Sequence, residues 1–333
     1  MKRRAFLTNA SAAVLMAEVL PRSTGDLLGA TSPFTETSNE GSESTSVMPI
    51  VDTHQHLWDL KQFTLPWVPK DTTSVLARDY LISDYLESTK SSNVVKAVYM
   101  EVDVTPEQHN AEADFVIGLC EKGDYPTVGA VISGRPNDKS FPKYMERFES
   151  VKWIKGVRQV LHGGGTPRGY CLEPQFVKSV QHLGSIGKCF DLCMRSGELL
   201  DGAKLVEKCP KTRFVLDHCG NGPIRPENKS DFDVWQKGIR EIAKFDNVVC
   251  KISGIVASAP DGWTASDLEP VIVESMEAFG EDRIMFAGDW PVCLLRASFE
   301  QWVNALKSIV KDRSEEFQRK LFHDNAVAFY DLK

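Results

Sequence analysis

Histidine, aspartate, glutamate and arginine can hold a metal ion, move a proton or polarise a carbonyl, and this chain sets them at the ends of short apolar runs. His54 and His56 stand two apart in IVDTHQHLWDL, residues 50–60. Side chains two apart on a strand point to the same side. A strand from Ile50 to His56 therefore puts Asp52, His54 and His56 on one face. Such a pair of imidazoles can ligate a metal or polarise a bound substrate; it can also be a hydrogen-bonded pair with no chemistry. The same character recurs along the chain. Glu101 ends a second run, Arg158 and Gln159 end another with His162 just after, and His218, Lys251, Ser253 and Asp289 stand late in three more. A buried polar group is costly unless paired or functional. A whole set at one end of successive runs points to a site.

The elements that must position these residues recur at a steady interval. The runs are PIVDTHQHL (49–57), VVKAVYMEV (94–102), TVGAVIS (127–133), WIKGVRQVL (153–161), CFDLCM (189–194), RFVLDHC (213–219), VVCKISGI (248–255) and IMFAGDWPV (284–292). Most are β-branched or aromatic in character, as strands are. Helical spacing lies between them. PEQHNAEADFVIGLCEK opens with a proline suited to a first turn and spaces Ala113, Val116, Ile117 and Cys120 along one face. EPQFVKSVQHLGSIG and DLEPVIVESMEAFG read alike, with Gly187 and Gly280 as C-caps. SEEFQRKLFHDNAVAFYDL closes the chain with a stripe through Phe317, Leu321 and Phe322. Eight alternations of strand and helix predict an α/β fold, a (β/α)8 TIM barrel over residues 49–333. An open doubly wound sheet would want Gly-x-Gly-x-x-Gly after its first strand. The chain has only GGG at 163–165, after the fourth run, which reads as a loop.

Before the barrel the composition changes. MKRRAFLTNASAAVLMAEVL carries Arg3-Arg4 and Phe6-Leu7 ahead of an apolar stretch, so residues 1–30 read as a twin-arginine export signal and the mature protein as periplasmic. That stretch is too short for an ordinary membrane helix and Glu18 interrupts it. Residues 31–48 are dominated by Ser, Thr, Gly and Glu and read as a linker without a core. The 333 residues are 42% apolar with a net charge of −7, ordinary for a globular chain. With no basic block beyond the leader, nucleic acid is excluded as a partner. None of the eight cysteines forms Cys-x-x-Cys. Cys189 and Cys193 are too far apart along one strand to pair. Cys120, Cys209 and Cys250 read as buried free thiols.

DTHQHLW, FVLDHCGN and FAGDWPV together resemble the amidohydrolase superfamily, in the TIM-barrel branch that includes sugar-acid lactonases and aromatic-pathway lactonases. KGVRQVL and DLCMR are similar to that branch's fourth and fifth strands, and the resemblance runs from about residue 49 to the C-terminus. It implies hydrolysis of a cyclic ester, with a small-molecule lactone as the partner. Asp289 is then the base that takes the proton of the attacking water, His54 and His56 are the metal or carbonyl contacts, and His218 is a polar contact to substrate or water.

Two departures from the wider superfamily stand out. The fourth strand offers Arg158 and Gln159 where relatives place a bridging lysine, and the fifth, CFDLCMRSG, has no ligand histidine. That argues against a two-metal centre. His54, His56 and Asp289 are enough for one divalent ion, zinc first; the alternative is a metal-free site in which histidine and arginine do the electrophilic work. Arg158, Arg195 or Arg296 can hold an acidic substrate through a guanidinium fork. Glu101 and His162 join as substrate contacts, with Trp58, Trp67, Trp290 and Tyr170 as candidate walls. The reading is a lactonase for a sugar-acid or other carboxylated lactone. Its rivals are a metal-dependent decarboxylase of the same superfamily and an exported barrel that only binds a sugar acid.

Overall fold

The apolar runs become eight parallel strands: β1 (Ile50–Gln55), β2 (Val94–Met100), β3 (Thr127–Ser133), β4 (Ile154–Val160), β5 (Cys189–Cys193), β6 (Phe214–Leu216), β7 (Val248–Ile252) and β8 (Ile284–Phe286). The computed structural model describes residues 48–224 and 229–332. The strands pair in chain order from β1 to β8. Beyond them Gln55 bridges Trp290 in parallel, the His56 N–H donates to the Trp290 carbonyl at 2.8 Å, and the Thr53 hydroxyl donates to the Phe286 carbonyl at 2.7 Å. The ring is thus closed by β1 against β8, as a (β/α)8 barrel requires.

Helices return the chain between strands: α1 (Ile82–Thr89), α2 (His109–Lys122), α3 (Phe141–Glu146), α4 (Pro174–Ser185), α5 (Leu199–Lys208), α6 (Lys229–Ala243), α7 (Ala265–Phe279) and α8 (Phe299–Ile309). Their ends follow local chemistry. α2 stops at Gly123, whose φ of 69° suits a residue without a Cβ. α8 starts with a capping box in which the Ser298 hydroxyl accepts from the Gln301 N–H at 3.1 Å and the Gln301 side chain accepts from the Ser298 N–H at 2.8 Å. The closing segment is α9 (Glu315–Arg319), a π turn (Lys320–Asp324) and α10 (Asn325–Tyr330), with Phe317, Leu321 and Phe322 buried. No described helix is long and apolar enough to cross a membrane.

Two layers fill the inside of the barrel. The lower one is apolar, made by Val51, Val98, Met100, Val131, Val215 and Met285, and α10 with the residues after it plugs it with Ala326, Tyr330 and Leu332. Lysines and an arginine at the strand starts hold that plug by its carbonyls: Lys96 on Leu332 at 2.8 Å, Lys155 on Asp331 at 3.2 Å, and Arg213 on Phe329. The upper layer is charged and carries the site. All eight cysteines are buried and unpaired. The segment expected to be an export leader, and the expected linker up to residue 47, lie outside the described residues; Met48 already packs on the core.

Candidate active site

The site begins with a break in β1. Val51 points into the barrel, so regular alternation would turn His54 outward with Asp52. The register of β1 against β2 shifts between Asp52 and Gln55, and the phase changes there. Asp52 therefore does not share a face with His54 and His56, contrary to the expectation from spacing. Its carboxylate reaches the helix layer, where the Tyr85 hydroxyl donates to it at 2.9 Å. It also accepts the N–H groups of His54 at 3.0 Å and Gly288 at 2.7 Å. Asp52 is a clasp between β1 and the chain leaving β8. Gly288 has no room for a side chain there: a Cβ would lie 2.4 Å from Phe299 and 2.7 Å from the Asp52 carboxylate.

Past the clasp, both imidazoles face the carboxylate of Asp289. Its Oδ1 lies 3.4 Å from His56 Nε2 and 3.7 Å from His54 Nε2. The two rings meet edge to face at 4.7 Å, and the His218 ring lies 4.6 Å from His54. Asp289 and His218 were expected on strand ends. Instead they follow strands only three residues long, on backbone that bulky residues avoid. Asp289 has φ 53°. His218, Cys219, Gly220 and Asn221 all have positive φ, 56°, 51°, 62° and 53°. This is a single left-handed turn, unfavourable by roughly 1–2 kcal/mol for each non-glycine residue. Packing holds it: the Ser253 hydroxyl is 2.9 Å from His218 Nδ1, and a Cβ on Gly254 would sit 2.2 Å from that nitrogen.

Beneath the rings runs a buried chain of charges. Lys251 Nζ donates to Asp191 at 2.7 Å and lies 3.1 Å from Asp217. Asp217 in turn lies 3.6 Å from His54 Nδ1 and 3.5 Å from Arg158 Nη1. Arg158 Nε donates to Glu101 at 2.6 Å, and Nη2 donates to the Glu101 carbonyl at 2.7 Å. Burial opposes the charge on Asp217, but the Lys251 ammonium beside it holds the carboxyl well below the usual range. Burial likewise opposes Arg158, and Glu101 keeps it charged. His54 is pushed well below the ordinary histidine value, chiefly by burial, and is neutral. Its tautomer follows from its neighbours. Arg158 Nη1, a donor only, is 3.1 Å from Nε2, so Nε2 accepts and the proton sits on Nδ1, facing Asp217.

A cavity of about 490 Å³ opens above this layer. His56, His218, Asp289, Arg158 and His162 line it. Three residues expected at its wall stand behind it. Glu101 is fully buried, and besides Arg158 it accepts from the Ser133 hydroxyl and the Asp103 N–H, both at 2.7 Å. It positions Arg158. Trp58 is buried with its Nε1 donating to the Arg78 carbonyl at 2.7 Å. Arg195 binds Glu198 and the carbonyls of Gly163 and Thr166, fastening the loop that follows His162. Of the other aromatics only Trp67 lines the cavity; Trp290 is core, stacked edge-on with Tyr80 and Tyr85. Arg296 lies in a separate groove, donating to the Ala259 carbonyl at 2.8 Å. Sequence reasoning passed over Asp217, Asp191 and Asp103. Asp191 and Lys251 did leave a signal, each a lone charge inside an apolar strand.

The donor set suits one divalent cation. His56 Nδ1 lies 3.0 Å from the Met100 carbonyl, which fixes its proton there and leaves the Nε2 lone pair facing Asp289. Two acceptors 3.4 Å apart need a proton or a cation between them. His54, His56 and Asp289 bring ligand atoms within 4.8 Å of one another, and His54, Asp217 and His218 form a second such group. A cation in the first group would have to take the single lone pair of His54 Nε2 from Arg158.

The family model described as Amidohydrolase matches residues 51–332. An uncharacterised protein of Sinorhizobium fredii, y4mH, is 30% identical over 86% of this chain and 99% of its own length. An L-fucono-1,5-lactonase of Burkholderia multivorans is 29% identical, over 85% of this chain and 96% of its own. The crystal structure of an amidohydrolase from Burkholderia multivorans with bound zinc superposes with a TM-score of 0.75 at 26% identity, covering 86% of this chain and all of that one. The barrel, the histidine pair on β1 and the aspartate after β8 thus sit in a chain that belongs to the amidohydrolase family, a hydrolase of that superfamily.

Proposed function

We propose that the protein opens the ring of a lactone with water. The observation that carries this reading is the placement of Asp289: a carboxylate at the floor of the cavity, 3.4 Å from His56 Nε2 and 3.7 Å from His54 Nε2. Its relation by sequence to a sugar-acid lactonase supports the choice of ester. Asp289 takes the proton of the attacking water as the oxygen adds to the ring carbonyl. His218 is neutral, because burial lowers it, and its ring edges the cavity beside His54 as a polar contact to the carbonyl or the water. Glu101 and Asp217 hold Arg158, which steadies His54 from behind. His54, His56 and Asp289 are the residues that would hold a divalent ion. Such an ion would supply polarisation of the carbonyl and a lowered pKa for water.

Base uptake in a pH-stat with lactones of five- and six-membered rings tests the proposal, and carbon dioxide release in the same assay would point to a decarboxylase instead. A chain that binds lactones without opening any of them would sink the catalytic reading. Elemental analysis before and after dialysis against a chelator tests the ion: activity that falls with metal content supports it, and full activity in metal-free protein leaves histidine and arginine as the electrophiles. The twin-arginine leader stands as a further proposal. Replacing Arg3 and Arg4 by lysine should retain the protein in the cytoplasm, and wild type found there by fractionation would refute it.

A further inference from the structure

The cavity walls differ around the barrel, and their charges are already committed. The loops after β8, β1 and β2, which are neighbours around the ring, bring Val292, Leu295, Trp67, Leu76 and Val102 to the cavity, with Ser74 and Asp103 as the polar groups among them. Trp67 offers only its ring there. Its Nε1 donates to the Val102 carbonyl at 2.7 Å, and Trp58 packs edge-on against it at 5.6 Å. The loops after β4, β6 and β7 bring His162, Asn221 and Ser258 to the cavity. Arg158 is the one lysine or arginine among the described lining residues, and Glu101 and His54 engage all three of its nitrogens. Arg135, just behind, donates to Asp103 at 2.8 Å and to the Gly134 carbonyl at 3.1 Å. Burial pushes His162 down to about 4, with His218 and Arg158 adding to it, so the ring carries no charge at neutral pH. Asp289 and Asp103 both face the cavity.

We propose that the cavity takes an uncharged lactone bearing an apolar substituent, seated on Trp67, Leu76, Val292 and Leu295, and that it excludes lactones bearing a carboxylate. A carboxylate on the substituent would lose its water with no free lysine or arginine of the wall to meet it, since Glu101 and His54 hold Arg158. A fully hydroxylated substituent would set most of its hydroxyls against a ring and aliphatic groups that cannot pair with them, with Ser74 and the Arg135-bound Asp103 as the polar groups of that wall. An alkyl or aryl group loses nothing there and removes apolar surface from water. For its chemistry the proposal rests on the lactonase reading, and it replaces the sugar-acid or other carboxylated lactone expected from sequence with a neutral one.

The experiment compares an alkyl-substituted lactone, an aldonolactone with hydroxyls only, and a carboxylated lactone of the same ring size. Purified enzyme with its native metal content should show kcat/KM at least tenfold higher for the alkyl lactone than for the aldonolactone, and at least a hundredfold higher than for the carboxylated one. Equal or better turnover of either rival overturns the proposal. Trp67→Ala should cut the preference for the alkyl lactone over the unsubstituted ring at least fivefold; an unchanged preference overturns the wall. Calorimetry with the matching lactams, which keep the ring and carbonyl but resist opening, separates this proposal from the activity. Tighter binding of the alkyl lactam by tenfold or more sustains it even where no lactone is opened, in which case the lactonase reading fails alone. Tighter binding of the carboxylated lactam overturns it.

Discussion

The two ends of the barrel interior are built on opposite rules. At the lower end aliphatic side chains interdigitate, α10 and its tail fill the opening, and cations at the strand starts bind the carbonyls of Asp331 and Leu332. At the upper end the backbone turns left-handed at Asp103, at His218–Asn221, at Gly254 and at Asp289. Like-natured acceptors also face each other there, and both Asp217 oxygens lack a well-formed hydrogen bond. Chemistry needs groups held where water alone would not leave them, and that costs stability. A well-packed lower end lets the upper end carry strain without loss of the fold.

If that division holds, changes at the two ends should separate in kind. Asp289→Asn keeps shape and removes basicity. Its kcat should fall by a factor of about 10²–10⁴, with a circular dichroism melt close to wild type. Near-normal turnover would take Asp289 out of the mechanism. Tyr330→Ala, at the lower end, should do the reverse. Emptying a buried aromatic site should cost roughly 3–5 kcal/mol in chemical denaturation, with kcat per folded molecule within twofold of wild type. A large loss of kcat in the folded variant would show that the ends are coupled.

Gly254→Ala tests the join between strain and chemistry. The new methyl meets His218 Nδ1, and the backbone stands at φ 69°. We expect a loss of about 1–3 kcal/mol in stability together with at least a tenfold loss of kcat/KM. Loss of stability alone would mean that His218 is not needed where it stands.

The smallest effect concerns Glu112 on α2, which braces the end of β2 by accepting the Val102 N–H at 2.7 Å and the Tyr99 hydroxyl at 3.1 Å. Burial, and then the charge of Glu101, raise its carboxyl to about 7 from an ordinary 4.5. The folded state therefore holds a proton that the unfolded chain releases. The stabilisation linked to this proton is fully present below about pH 4.5 and is lost as pH rises through about 7. Glu112→Gln should match wild type near pH 4.5 and exceed it above pH 7 by roughly 1–3 kcal/mol. Thermal melts across that range give the comparison, and a constant offset would refute the linkage.

The barrel was legible because strand and helix alternate with little ambiguity, and the polar ends of β1, β6 and β8 were legible because their residues are unusual in apolar runs. What escaped were features that no period encodes. The phase break that sends Asp52 outward and His54 inward is a one-residue irregularity, and alternation read as regular puts both on one side. Glu101 and Arg195 carry charges that look available in sequence; only the fold shows that Arg158, Glu198 and loop carbonyls already hold them. Trp58 and Trp67 are alike by type, and which one faces the cavity depends on a hydrogen bond from each indole to a distant carbonyl.

The plug also bears on how the barrel comes apart. Ala326, Tyr330 and Leu332 share one apolar cluster with side chains of β1, β2, β3, β6 and β8. Drawing that segment out would open aliphatic side chains of all these strands to water together. The lower end therefore has no piece that loosens by itself: α10 is either seated with the barrel whole, or it leaves and the barrel goes with it.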